Sequence, residues 1–307
     1  MNLAERVRAA DPAALGQAIT LVESRAPNDR ERAAALLEAL LPHTGGARRI
    51  GISGIPGVGK STLIETLGCN LLERGERVAV LAVDPSSAVS GGSILGDKTR
   101  MQRLAQRAFV RPSPTGGGLG GVAGATYEAV LLCEAAGYTV VLVETVGVGQ
   151  SESVVASLVD LLLLLVLPGA GDDLQGIKRG IVEMADLFCV NKADQVATAK
   201  RAQADLLIAL RILRAQKPVL LCSAQTGSGV PELWDAIDAV WSAARDSGAL
   251  QHKRADQREM WMWRLVEQRV LQVVREPWRA LEWATAVRES EMLPAVAAEH
   301  ILRGVLK

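Results

Sequence analysis

Lys60 and Ser61 close the string Gly54-Ile55-Pro56-Gly57-Val58-Gly59-Lys60-Ser61-Thr62, in which glycine, four residues and then Gly-Lys-Ser follow one another. That spacing suits a nucleoside triphosphate. The glycines let successive backbone N–H groups turn into one concavity, at the positive end of the helix that follows. A lysine placed there reaches the β- and γ-phosphates, and a serine hydroxyl ligates Mg²⁺. Gly57, Val58, Gly59, Lys60, Ser61 and Thr62 are therefore the candidate phosphate-binding residues.

A second string, Asn191-Lys192-Ala193-Asp194, addresses the base. A carboxylate such as Asp194 can accept from guanine N1 and N2 together, whereas adenine has no donor at N1. Asn191 can serve the other edge of the base, and the alkyl stem of Lys192 can cover the ring. Such a site rejects the wrong base because its carboxylate would be left unpaired. Ser223-Ala224 stands at the end of the next apolar run, where GTP-binding proteins place a further guanine contact. The expected ligands are GTP or GDP with Mg²⁺.

These residues need a scaffold, and the chain supplies one. Apolar strand candidates at 49–53, 77–83, 138–144, 158–167, 187–191 and 218–223 are dense in Val, Leu and Ile, as in strands covered on both faces. Helical patterns lie between them, for example at 60–73, 197–215 and 230–244. The expectation is an α/β doubly wound, mostly parallel sheet over residues 48–247. Residues 1–47 read as an N-terminal helical segment. Leu15, Ala18, Ile19 and Val22 share one face, as do Ala33, Leu36, Leu37, Leu40 and Leu41. Asn28 with Glu31 reads as a capping box, and Thr44-Gly45-Gly46 as the exit. Residues 248–307 read as a helical arm. There Trp263, Val266, Val270 and Val273 recur at helical spacing, and four of the six tryptophans fall in the arm.

Composition narrows the class further. Lys plus Arg equals Asp plus Glu at 34 each, so no basic surplus points to nucleic acid and no polybasic patch to a membrane surface. The apolar run 158–167 is broken by Asp160 and is shorter than the roughly 20 residues of a membrane helix. No secretory pattern opens the sequence. Cys69, Cys133, Cys189 and Cys222 sit apart in apolar runs, the habit of buried free thiols in a reducing compartment. A cytoplasmic protein without nucleic-acid or membrane partners is expected.

Three further strings go beyond a generic GTPase. Asp84-Pro85-Ser86-Ser87 leads to the run from Gly91 through Asp97, Lys98 and Met101. The second is Glu144-Thr145-Val146-Gly147-Val148-Gly149-Gln150-Ser151-Glu152, and the third runs from Leu167 through Asp172 and Lys178 to Gly180. Over residues 48–241 the chain closely resembles the G-protein chaperones of adenosylcobalamin-dependent acyl-CoA mutases, the methylmalonyl-CoA mutase-associated GTPases. Their older label is arginine/ornithine transport ATPase. The resemblance implies a P-loop GTPase fold and a homodimer, with the helical arm either dimerising or capping its own subunit. It implies that Asp84 lies near Mg²⁺ and the attacking water, and that Asp97 and Glu144 act in the first and second switch segments. Ser61, Asp84, Asp97 and Glu144 are thus the candidate metal residues, and Lys60, Asp84, Asp97 and Glu144 the candidate catalytic ones. Asp172 and Lys178 fall in an additional loop that signals to the mutase.

Val148, not glutamine, follows Gly147, so slow intrinsic hydrolysis accelerated by a partner is expected. His43, His252 and His300 lie outside any Asp-x-His-x-x-Gly string, so the chain is not itself a cobalamin-binding mutase. A separate acyl-CoA mutase is the expected partner. Two alternatives are a nickel metallochaperone GTPase, which would need Cys and His ligands to meet in space, and the ATPase subunit of an amino-acid transporter.

Overall fold

The computed structural model describes residues 1–24, 26–83, 101–111, 119–145, 151–169, 179–275 and 278–305. The expected sites Asp84, Asp97, Asp172 and Lys178 lie outside them. The described chain forms two compact units, Met1–Ala255 and Asp256–Lys307.

The first unit is built on a seven-stranded sheet of β1 (Arg48–Gly54), β2 (Val78–Val83), β3 (Phe109–Arg111), β4 (Val140–Thr145), β5 (Leu161–Val166), β6 (Leu187–Val190) and β7 (Val219–Leu221). The strand order is β3-β2-β4-β1-β5-β6-β7, and every pairing is parallel. Strand β5 shows why its sequence is a continuous apolar run. Leu161, Leu163 and Leu165 enter one core, while Leu164 and Val166 enter another on the opposite face. The first core receives Leu63, Ile64, Leu67 and Leu71 of α4 (Lys60–Glu73) and Leu233, Trp234, Ile237 and Trp241 of α10 (Val230–Asp246). The second receives Val182 of α8 (Arg179–Met184) and Ala199, Leu206 and Leu210 of α9 (Val196–Ile212). Helices on both faces of a parallel sheet make the doubly wound fold.

Helices α1 (Leu3–Arg8), α2 (Pro12–Glu23) and α3 (Pro27–Leu40) pack onto the same unit through α6 (Leu119–Ala135). Ala14, Leu15, Ala18 and Ile19 of α2 are buried, as are Ala33, Leu36 and Leu40 of α3. Two details differ from expectation. Helix α3 starts one residue before Asn28, at Pro27, so Asn28 is inside the helix and Ala26 precedes it without a side-chain cap. The capping box belongs instead to Asn2 and Glu5 of α1. Leu41 falls in a 3₁₀ turn after α3 and is exposed. Strand β3, with short α5 (Gln102–Ala105) before it, was not expected; three residues carry no readable period.

The start of the sheet is held by charge. Asp160 precedes β5 and is buried, and its carboxylate accepts from Arg49 N at 2.9 Å, Trp241 Nε1 at 2.9 Å and the Arg254 guanidinium at 2.6 and 2.7 Å. Arg254 also donates to the carbonyls of Gly45 and Ala47, each at 2.6 Å. Arg49 in turn forms a bidentate pair with Glu134 of α6, at 2.8 and 2.9 Å. The break that Asp160 makes in the apolar run is therefore a structural anchor.

Cys133, Cys189 and Cys222 are buried and Cys69 half-buried, and all four are free thiols. Cys189 and Cys222, far apart in sequence, meet across β6 and the end of β7 with their sulfurs 3.1 Å apart. The second unit contains α12 (Trp278–Arg288) and α13 (Pro294–Val305), where Trp283 stacks on His300 at 4.9 Å. Helix α11 spans Ala249–Arg275, and its Trp263, Val266 and Val270 are about half exposed.

Candidate functional site

Strand β1 lies at the centre of the sheet, and the phosphate string leaves its C-terminal end, the edge at which open parallel sheets bind ligands. Gly54, Gly57 and Gly59 adopt φ of 149°, 78° and 97°. Two of these glycines are needed for space as well as for φ. A Cβ on Gly54 would lie 2.7 Å from the Leu165 carbonyl, and one on Gly59 would lie 2.5 Å from Asn191 Nδ2. Helix α4 begins at once with Lys60, so its free N–H groups face the loop's concavity.

Within the loop, Lys60 is buried, and its ammonium donates to the carbonyls of Gly54 at 2.8 Å and Ile55 at 3.3 Å. Burial pulls its pKa below the ordinary lysine value, against the opposing pull of the Glu144 and Glu152 carboxylates. Ser61 Oγ donates to Glu144 Oε1 at 2.8 Å. Glu144 lies on β4 opposite Ile52 of β1, and this pairing carries the carboxylate to the start of α4. A hydroxyl and a carboxylate side by side are hard oxygen donors of the kind Mg²⁺ takes, so the residues present fit that ion. Glu152, in the first turn of α7 (Ser151–Ala156), is buried and acts on Lys60 through its charge. Nothing in its spacing separated it from an ordinary helix-start acid.

The base string follows β6. Lys192 takes a left-handed φ of 59°, and Lys192 and Asp194 are exposed. Ser223 Oγ donates to Asp194 Oδ1 at 3.1 Å, which aims the carboxylate from the neighbouring loop. Asn191 is buried and does something its sequence context did not disclose. Its Nδ2 donates to the Val58 carbonyl in the phosphate loop at 2.8 Å, and its Oδ1 accepts from Ala224 N at 3.0 Å and Cys222 Sγ at 3.5 Å. The amide is thus a strut between the phosphate loop and the base loop. Thr66 of α4 adds a bond that sequence reasoning missed, donating Oγ1 to the Ala224 carbonyl at 2.7 Å.

The structure therefore brings together Gly57, Val58, Gly59, Lys60, Ser61, Glu144, Asn191, Ser223 and Ala224, with Asp194 at the rim. Thr62 is exposed in the first turn of α4. Among the described residues there is no group of three or more His, Cys, Asp or Glu able to hold a metal, and no helix long and apolar enough to cross a membrane.

Comparison with known proteins agrees with this geometry. A family model described as methylmalonyl-CoA mutase-associated GTPase MeaB matches residues 15–278. The GTPase ArgK of Escherichia coli is 49% identical over 278 residues, covering 87% of this chain and 83% of that protein. The mitochondrial methylmalonic aciduria type A homolog of Mus musculus is 48% identical over 282 residues, covering 85% of this chain and 67% of that one. Among solved structures, one titled LAO/AO transport system kinase superposes with a TM-score of 0.75 at 36% identity, covering 99% of this chain and 97% of its own.

Proposed function

This chain belongs to the methylmalonyl-CoA mutase-associated GTPase family and hydrolyses GTP, and from that premise we propose that it acts on a separate acyl-CoA mutase, timing the loading of adenosylcobalamin and guarding the enzyme. The observation that carries this reading is the family match over residues 15–278. The joining of base and phosphate recognition at Asn191, bonded to Val58 on one side and Ala224 on the other, supports its guanine nucleotide. A site so built reads a guanine nucleotide as one object.

Lys60 would leave the Gly54 and Ile55 carbonyls for the phosphates, neutralising charge that develops in phosphoryl transfer. Ser61 and Glu144 would hold Mg²⁺, which would supply further charge neutralisation at the phosphates. Asp84 and Asp97 are proposed to share the organisation of metal and water. Asp172 and Lys178 are proposed to report nucleotide state to the mutase. A homodimer is proposed through the second unit, supported by the half-exposed Trp263, Val266 and Val270.

The test is GTP turnover of the purified protein with and without adenosylcobalamin-dependent acyl-CoA mutases, with Lys60→Ala as the zero. Slow turnover alone, acceleration by one mutase and no use of ATP are expected. Fast turnover without a partner, or no response to any such mutase, would remove the chaperone reading.

A further inference from the structure

Thr66 lies on α4 seven residues beyond Gly59, about 10 Å along the helix axis at 1.5 Å per residue. A threonine inside a helix usually turns its hydroxyl back to the carbonyl four residues earlier. This one reaches across to another element instead, donating to the Ala224 carbonyl at 2.7 Å. Ala224 also donates its N–H to Asn191 Oδ1 at 3.0 Å, and Asn191 donates to the Val58 carbonyl at 2.8 Å. Val58 stands two residues before α4. The bonds close a ring: helix, base loop, Asn191, phosphate loop and back into the same helix.

We infer that Thr66 is a positioning residue for guanine recognition. With it, both backbone polar groups of Ala224 are held, the carbonyl by Thr66 and the N–H by Asn191. The preceding residue, Ser223, aims Asp194 through its hydroxyl, and its Oγ also accepts from Thr226 N at 3.4 Å. A shift of the backbone at Ala224 would therefore move Ser223 and disturb the carboxylate that reads the base. Thr66 touches no phosphate-loop atom through its hydroxyl, so its loss should weaken nucleotide binding while leaving Lys60, Ser61 and Glu144 where they are.

The inference deepens the base-site reading and rests on Asp194 contacting guanine. Thr66→Val keeps the shape of the side chain and deletes the donor, and Thr66→Ser restores the donor. GDP affinity by calorimetry should fall about five- to tenfold in Thr66→Val, the worth of a hydrogen bond whose buried acceptor is left unmet. Single-turnover hydrolysis at saturating GTP should stay within about twofold, because binding and not the chemical step has been altered. Thr66→Ser should bind GDP nearly as the parent does. Asp194→Asn serves as the control and should trade guanine for xanthine nucleotides. If that control switches preference, the Thr66 role alone is overturned by any of three results. These are unchanged GDP affinity in Thr66→Val, a hydrolysis rate that falls with affinity, or no rescue by serine. An Asp194→Asn protein that keeps its GDP preference overturns the base-site reading, and the role of Thr66 with it.

Discussion

Burial disfavours the charged form of both Lys60 and Glu128, and so moves their pKa values in opposite directions. It lowers the lysine's pKa, and at Glu128 on α6 it raises the carboxyl from its ordinary 4.5 to about 7. For Glu128 the sign follows directly. Between those two values the folded chain keeps a proton that the unfolded chain releases, so stability falls as pH rises from 4.5 to about 7 and is level beyond. Glu128→Gln lacks this loss, so its stability relative to the parent should grow across that window, by at most about 3 kcal/mol. Urea denaturation at pH 5 and pH 8 measures it; an equal difference at both would refute the assignment. Sequence reading fared unevenly at this scale. Lys60 and Ser61 were legible because contiguous spacing alone brings them to a helix start. Asn191 was legible as a site residue but not as a strut, since its partners Val58 and Ala224 are 133 and 33 positions away.

Among the elements, α8 shows how a short helix is held at its end. Lys217, just before β7, donates to the carbonyls of Val182 at 3.1 Å, Glu183 at 2.7 Å and Ala185, groups a helix terminus leaves without intrahelical partners. Lys217→Met should free them, speeding amide exchange across residues 179–186 while β1 and β4 keep their protection. A uniform change over the sheet would mean that Lys217 acts globally. Strands were readable where both faces are buried, since β4 and β5 are then plain apolar runs. Strand β3 was not, because Phe109-Val110-Arg111 is too short to show alternation and, among the described residues, pairs with β2 alone. The cap of α3 was misplaced because Pro27 is itself a favoured first helical residue, which the Asn28–Glu31 pattern obscured.

On the scale of the whole first unit, the two ends of the sheet do different work. At the strands' starts, Asp160, Arg254, Arg49 and Glu134 join the N-terminal segment's exit, β1, α6, α10 and α11. Removing one member of such a buried set leaves its partners' charges unmet. Asp160→Ala should therefore cost about 3–5 kcal/mol in chemical denaturation, and a loss below about 1 kcal/mol would show the set to be dispensable. At the strands' far ends lie the glycines, Glu144 and the base loop. β1 spans both ends, from Arg49 to Gly54. For inherited variation, this separation implies two kinds of defect. A substitution near Asp160 would lower how much folded protein a cell holds, while each surviving molecule kept its specific activity. Loss of Lys60 at the other end would leave a full complement of molecules that turn over no GTP. Raising expression could rescue the first kind and never the second.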